Sequence, residues 1–139
     1  MERISLLKET DIFRNVREID LKEIASILEE IPLKKGDVIF SKGDTGNCMY
    51  IIQKGKVRIH DGGYTLAVLD ENEVFGELSL LDAETRSASA TCDEDSFLLK
   101  LDQHPFYKIL SKDQEVLKGI LKMLCRRIRI LDAKSAQNQ

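Results

Sequence analysis

The chain has 139 residues, 42% of them hydrophobic and 32% charged, which is the profile of one folded domain with its own core rather than of a disordered polymer. Against 24 acidic residues there are 21 basic ones, so the net charge is −3 and no overall basic field exists to draw in nucleic acid. Apolar runs are too short to cross a bilayer, and Met1-Glu2-Arg3-Ile4-Ser5 carries no signal-peptide core, so a cytoplasmic chain with no membrane insertion is expected.

The stretch from Ile4 to Val16 reads as a short helix followed by a turn. Asp20-Leu21-Lys22-Glu23 has the form of a capping box, with Asp20 as N-cap. Leu21, Ile24, Ile27 and Leu28 follow at helical spacing, and Ile31-Pro32 is expected to end that helix. From Leu33 the period changes. Turn signals at Lys35-Gly36-Asp37, Gly43 to Asn47, Lys54-Gly55-Lys56, Asp61-Gly62-Gly63 and Asp70-Glu71-Asn72 separate short runs of β type. Those runs are Val38–Phe40, Met49–Ile52, Val57–His60 and Thr65–Leu69, with Ser87–Thr91 and Phe97–Leu101 later. Strands this short, broken roughly every ten residues, predict a sandwich or barrel rather than a parallel sheet. A double-sheet jelly roll suits the count.

Between the strand groups lies Phe75-Gly76-Glu77-Leu78-Ser79-Leu80-Leu81, one helical turn opening after a glycine, and then the polar stretch Asp82 to Arg86. After Pro105 the helical period returns. Gln114 to about Lys134 carries Leu117, Leu121, Leu124, Ile128 and Leu131 at heptad spacing. That seam has two readings, a face that packs down as a lid or a contact with a second copy.

Little in the chain supports catalysis or metal binding. Cys48, Cys92 and Cys125 are odd in number and far apart, without the close pairs of a zinc site, and read as small core or half-buried residues. His60 and His104 stand alone, so no metal and no cofactor are expected. No nucleophile–base–acid set is identifiable, and the chain reads as a non-enzyme.

The segment from Gly76 to Arg86 does carry a chemistry. A helix N-terminus offers backbone N–H groups to an anion, and a glycine there lets the backbone come close. An arginine presents a fork of donors matched to two phosphate oxygens, and a carboxylate accepts well from a sugar hydroxyl. Taken alone, Glu77 and Arg86 read rather as an ion pair that closes a loop.

Phe75-Gly76-Glu77-Leu78-Ser79-Leu80-Leu81, followed by Arg86-Ser87-Ala88, resembles the phosphate-binding cassette of the cyclic-nucleotide-binding domain family. Lys35-Gly36-Asp37-Val38-Ile39-Phe40, Gly43-Asp44 and Met49-Tyr50-Ile51-Ile52 through Gly55 are similar to that family's barrel signature. The resemblance implies a mainly β, jelly-roll barrel with N-terminal helices and a C-terminal lid helix. It sets out one domain over 1–139: helices over 1–32, barrel over 33–102 with the phosphate-binding segment at 75–88, and helices over 103–139. Glu77 would accept from the ribose 2′-hydroxyl and Arg86 would pair with the cyclic phosphate. Backbone groups of Gly76, Leu78 and Ser79 would complete the cradle, Ser87 would stand nearby, and Leu124 or Ile128 would cover the base. Two departures stand out: Asn72-Glu73 where the family often has a glycine, and Ala83-Glu84-Thr85 where it often has Gly-Thr-Pro, which brings the Glu84 charge near the phosphate.

The implied function is a sensor for a cyclic purine mononucleotide, cyclic AMP in preference to cyclic GMP, with closure of the C-terminal helix as its output. Its expected partners are that ligand and a second copy or an effector chain, with no direct DNA binding because no reading helix follows the last helix. The alternative is a degenerate domain of the same fold, empty of ligand and used for protein interaction.

Overall fold

The structure is a computed structural model that describes residues 2–137. It divides into two compact units, Ile27–Tyr107 and a helical unit made of the described residues up to Ser26 and from Lys108 onward.

The first unit holds eight strands, β1 (Glu29–Leu33), β2 (Val38–Phe40), β3 (Cys48–Lys54), β4 (Val57–Asp61), β5 (Tyr64–Leu69), β6 (Val74–Phe75), β7 (Ser89–Cys92) and β8 (Ser96–Asp102). A short helix, α3 (Glu77–Asp82), interrupts them. The strands form two antiparallel sheets, ordered β1-β8-β3-β6 and β2-β7-β4-β5. This is the jelly-roll sandwich that the strand spacing predicts. Its inner layer comes from both sheets: Tyr50, Ile52, Phe75 and Leu98 from one, Val57 and Ala90 from the other. Ile31, Phe40, Ile59 and Leu69 pack around them.

Turn chemistry sets the strand ends, and Gly55 is the tightest case. It sits at φ +107°, and a Cβ there would lie 2.1 Å from the Ser96 hydroxyl oxygen and 2.8 Å from the Ser96 Cα. Gly55→Ala is therefore both strained and crowded against backbone. It should cost about 2 kcal/mol of stability, read as a lower urea midpoint at constant slope. A loss within about 0.5 kcal/mol would mean that this turn relaxes freely.

In the helical unit, α1 (Glu2–Glu9), α2 (Glu18–Ser26) and α5 (Gln114–Gln137) carry the apolar faces; α4 (Gln103–Lys112) runs from one unit into the other. Gly119 of α5 lies against Asn15 and Val16 in the turn after α1, where a Cβ would come within 2.7 Å of the Val16 side chain. In that same turn Asp11 binds both Arg126 and Arg127 of α5.

Several sequence expectations need correction. The second helix begins at Glu18, so Asp20 lies inside its first turn rather than at the cap. There Asp20 accepts from Arg17 Nε at 2.8 Å, and that bond holds its carboxyl below the usual range. The helix also stops at Ser26, well before Ile31-Pro32. Pro32 instead sits in β1, an edge strand, the kind of strand in which proline is tolerated. The two-residue strand β6 has no counterpart in the sequence reading. Cys48 and Cys92 are buried as expected, but Cys125 is exposed. On α5 the buried face is Val116, Gly119, Ile120 and Met123. The heptad seam points elsewhere, leaving Leu117, Leu121, Ile128 and Leu131 exposed. Among the described residues no helix is long and apolar enough to cross a membrane.

Candidate functional site

The site is built where two loops of the barrel run side by side. The loop after β2 and the loop after α3 are stitched together antiparallel. Gly43 N–H donates to the Arg86 carbonyl at 2.9 Å, Arg86 N–H to the Asp44 carbonyl at 2.7 Å, and Gly46 N–H to the Glu84 carbonyl at 3.1 Å. A Thr45–Thr85 bridge lies between them. This short ladder fixes the backbone of Arg86, and with it the direction in which a long side chain leaves.

That side chain turns inward. Arg86 is only 7% exposed, and its guanidinium carbon stands 4.2 Å from the centre of the Phe40 ring. Its Nη2 donates to the Cys48 carbonyl at 2.9 Å and reaches Cys48 Sγ at 3.3 Å. Phe40 in turn belongs to an aromatic group with Tyr50 and Phe75, the last two stacked at 5.1 Å. Burial pushes the Tyr50 phenol above its ordinary value, so this floor carries no compensating charge near neutral pH. Arg86 makes none of the ion pairs found among the described residues, and its Nη1 is buried without a hydrogen-bond partner. A buried cation so placed is costly until a further acceptor completes it.

Gly76 and Gly46 leave the room this arginine occupies. Gly76 is at φ +77° ahead of α3, and a Cβ there would fall 2.4 Å from Arg86 Nη1. A Cβ on Gly46 would fall 2.4 Å from Arg86 Nε and 2.8 Å from the Ser79 hydroxyl. Gly46 appeared in the sequence only as part of a turn; its partner is forty positions on, and no local pattern signals that contact. Cys48, read as a packing residue, also supplies the guanidinium's acceptor.

A cavity of about 370 Å³ opens beside the guanidinium. Phe40, Ile59 and Phe75 line its apolar side, while residues 76–79 and 84–88 contribute most of the remainder. Such a volume fits a small ligand of nucleotide size. Gly76, Glu77, Leu78, Ser79, Arg86 and Ser87 are thus brought to one hollow. Within it Glu77 is half-buried, Ser79 is buried, and Leu78 and Ser87 are exposed. Ser79 N–H already donates to the Gly76 carbonyl at 3.1 Å, which leaves its hydroxyl as the group beside the site. The lining comes from residues 40–88; Leu124 and Ile128 belong to α5, in the helical unit. Of the histidines, His60 bonds to the Gly62 carbonyl and the Thr91 hydroxyl, and His104 is exposed. No group of three metal-ligating side chains occurs among the described residues.

Known proteins share this fold. The profile of the cyclic nucleotide-binding domain matches residues 30–113. A cyclic AMP receptor protein from Thermus thermophilus is 34% identical over 131 residues, which are 91% of this chain and 61% of that protein. Human cGMP-dependent protein kinase 2 is 30% identical over 121 residues, 82% of this chain and 16% of the kinase. Among solved structures, the N-terminal domain of a transcriptional regulator from Streptomyces coelicolor superposes with a TM-score of 0.87 at 29% identity, covering 92% of this chain and 95% of that one. The catabolite activator protein of Thermus thermophilus gives 0.72 at 32% identity, covering 92% and 62%. The chain thus spans about three fifths of the bacterial receptor's length. With a profile match over more than half its residues, the chain belongs to the cyclic nucleotide-binding domain family.

Proposed function

We propose that the chain is a sensor module, not an enzyme, that binds a cyclic purine mononucleotide, cyclic AMP in preference to cyclic GMP. One observation carries this reading: Arg86 is a buried cation, with Nη1 lacking any partner, beside a cavity of about 370 Å³. The cyclic phosphate supplies the missing acceptor. Glu77, on the first turn of α3, accepts from the ribose 2′-hydroxyl. Gly76, Leu78, Ser79 and Ser87 surround the phosphate, and the apolar wall of Phe40, Ile59 and Phe75 takes the remainder of the ligand. Leu124 or Ile128 of α5 closes over the base.

Signalling then requires that ligand bind one position of α5 more tightly than another, since equal affinity shifts no population. A second copy is the partner that suits α5, because its heptad seam is exposed along Leu117, Leu121, Ile128 and Leu131. The similarity to bacterial regulators and to kinases is consistent with a cytoplasmic module whose output lies in other protein. No cofactor, metal or direct DNA contact enters this reading.

Calorimetric titration and thermal melting with cyclic AMP, cyclic GMP and linear AMP test it. Cyclic AMP at a hundred times its dissociation constant should add about 2.7 kcal/mol of stability. For a chain of this size that is a rise on the order of 10 °C. If neither cyclic nucleotide moves the melt or gives heat, the degenerate-domain alternative takes its place.

A further inference from the structure

The charges around the cavity do not balance, and the imbalance bears on which phosphates can enter. Its charged lining side chains are Glu77, Asp82, Glu84 and Arg86: three carboxylates and one cation. Arg86 is sunk against Phe40, whereas Asp82 and Glu84 are exposed. Neither carboxylate neutralises the arginine, which makes no ion pair among the described residues and keeps Nη1 without a partner. An incoming anion therefore meets negative charge first and finds one positive group inside.

A cyclic phosphate is a diester with a single ionisable group, so it carries one negative charge. A linear nucleoside monophosphate is a monoester with a second pKa near 6 and carries about −1.5 to −2 at pH 7. Arg86 can match the first charge of either. The second charge of the monoester has no cation left to meet and lies among carboxylates. We infer that Asp82 and Glu84 act as specificity residues, a charge filter that admits monoanionic phosphodiesters and turns away dianionic monoesters. This rests on the reading of the pocket given above and adds a rule of selection to it.

Neither charge is needed to shape the loop. Glu84 contributes its backbone carbonyl to Gly46, and the bond that the Asp82 carboxylate accepts from Glu84 N–H at 3.3 Å survives replacement by the Asn amide oxygen. Asp82→Asn with Glu84→Gln thus removes charge while conserving shape.

The test titrates cyclic AMP, linear AMP and the methyl ester of linear AMP into the wild type and the double variant, each at low and high salt. The methyl ester is open-chain but singly charged, so it separates charge from ring shape. In the double variant the preference for cyclic over linear AMP should narrow about tenfold, the scale of two screened like-charge contacts. The preference for cyclic AMP over the methyl ester should stay within about twofold, since both carry one charge. High salt should narrow the wild-type preference and leave that of the variant nearly unchanged. Glu84→Lys should carry the effect further in the same direction. If the wild type binds cyclic AMP and the cyclic-to-linear ratio does not move in either variant, the filter is wrong and the pocket assignment survives. If the wild type binds neither cyclic nucleotide, the pocket assignment fails and takes the filter with it.

Discussion

Replacing Arg86 with methionine should yield a protein that melts higher than the wild type and no longer binds a cyclic nucleotide. The two halves of that result follow from one fact. The guanidinium is almost fully buried, and only part of it is compensated by protein groups. The Phe40 face offers about 0.5–2 kcal/mol, and the bond to the Cys48 carbonyl about 1.5–3 kcal/mol. Against these stands a desolvation cost of several kcal/mol for a buried ion. Methionine fills much of the same volume with no charge to desolvate, and its flexible thioether suits a site walled by Phe40 and Cys48. The apo protein should gain about 1 kcal/mol, a rise of about 3–5 °C.

Binding moves the opposite way. In the complex the same desolvated charge meets an anion through paired donors, and losing one partner of such a contact costs about 2–5 kcal/mol. Affinity for cyclic AMP should therefore fall by about thirtyfold or more. Apo stability and function are traded here at a single residue, as expected where a site stores a group that only its ligand satisfies. A variant that binds within about tenfold of the wild type would remove Arg86 from phosphate recognition. A variant that loses several kcal/mol of apo stability would make Arg86 a structural clasp between the Phe40 ring and the Cys48 carbonyl.

What the sequence made legible was whatever depends on neighbours in the chain. The turns at Gly36, Gly43 and Gly55 recur between runs of β-branched and aromatic residues, and six of the eight strands, all but β1 and β6, follow from that spacing. Gly76, Glu77 and Arg86 lie on one continuous segment, so their convergence could be read from spacing and family resemblance. Apart from the start of α2, which is a local matter, the main misses involve distant partners. Pro32 looked like a helix stop, because only its pairing with Phe97 on β8 makes it an edge-strand residue. Heptad periodicity found the α5 seam, yet periodicity cannot say which of two apolar faces is buried; Gly119, close against Asn15 and Val16, settles that in favour of the other face. Phe40, Gly46 and Cys48 reach the site from a loop and strands forty positions before Arg86, and nothing local marks them.

Gly46 provides the second large test, because it asks whether the arginine works by presence or by position. Gly46→Ala leaves every charged and hydrogen-bonding group of the cavity in the sequence and adds one methyl. That methyl would stand 2.4 Å from Arg86 Nε, 2.7 Å from its Cζ and 2.8 Å from the Ser79 hydroxyl. No heavy atoms pack that closely, so either the guanidinium leaves the Phe40 ring or the stitched 43–46 and 84–86 loops part. In both cases the donor fork is carried off its line to the phosphate, and a misplacement of about 1 Å at such a site costs about a hundredfold. Affinity for cyclic AMP should drop by about that factor while Arg86 remains in the chain. Gly36→Ala is the control for glycine loss as such. Gly36 is at φ +90° with open space around its missing Cβ, so alanine there should lower stability by about 1 kcal/mol and leave affinity unchanged. If Gly46→Ala binds as tightly as Gly36→Ala, then the guanidinium tolerates displacement, and its partnerless Nη1 no longer identifies where the phosphate sits.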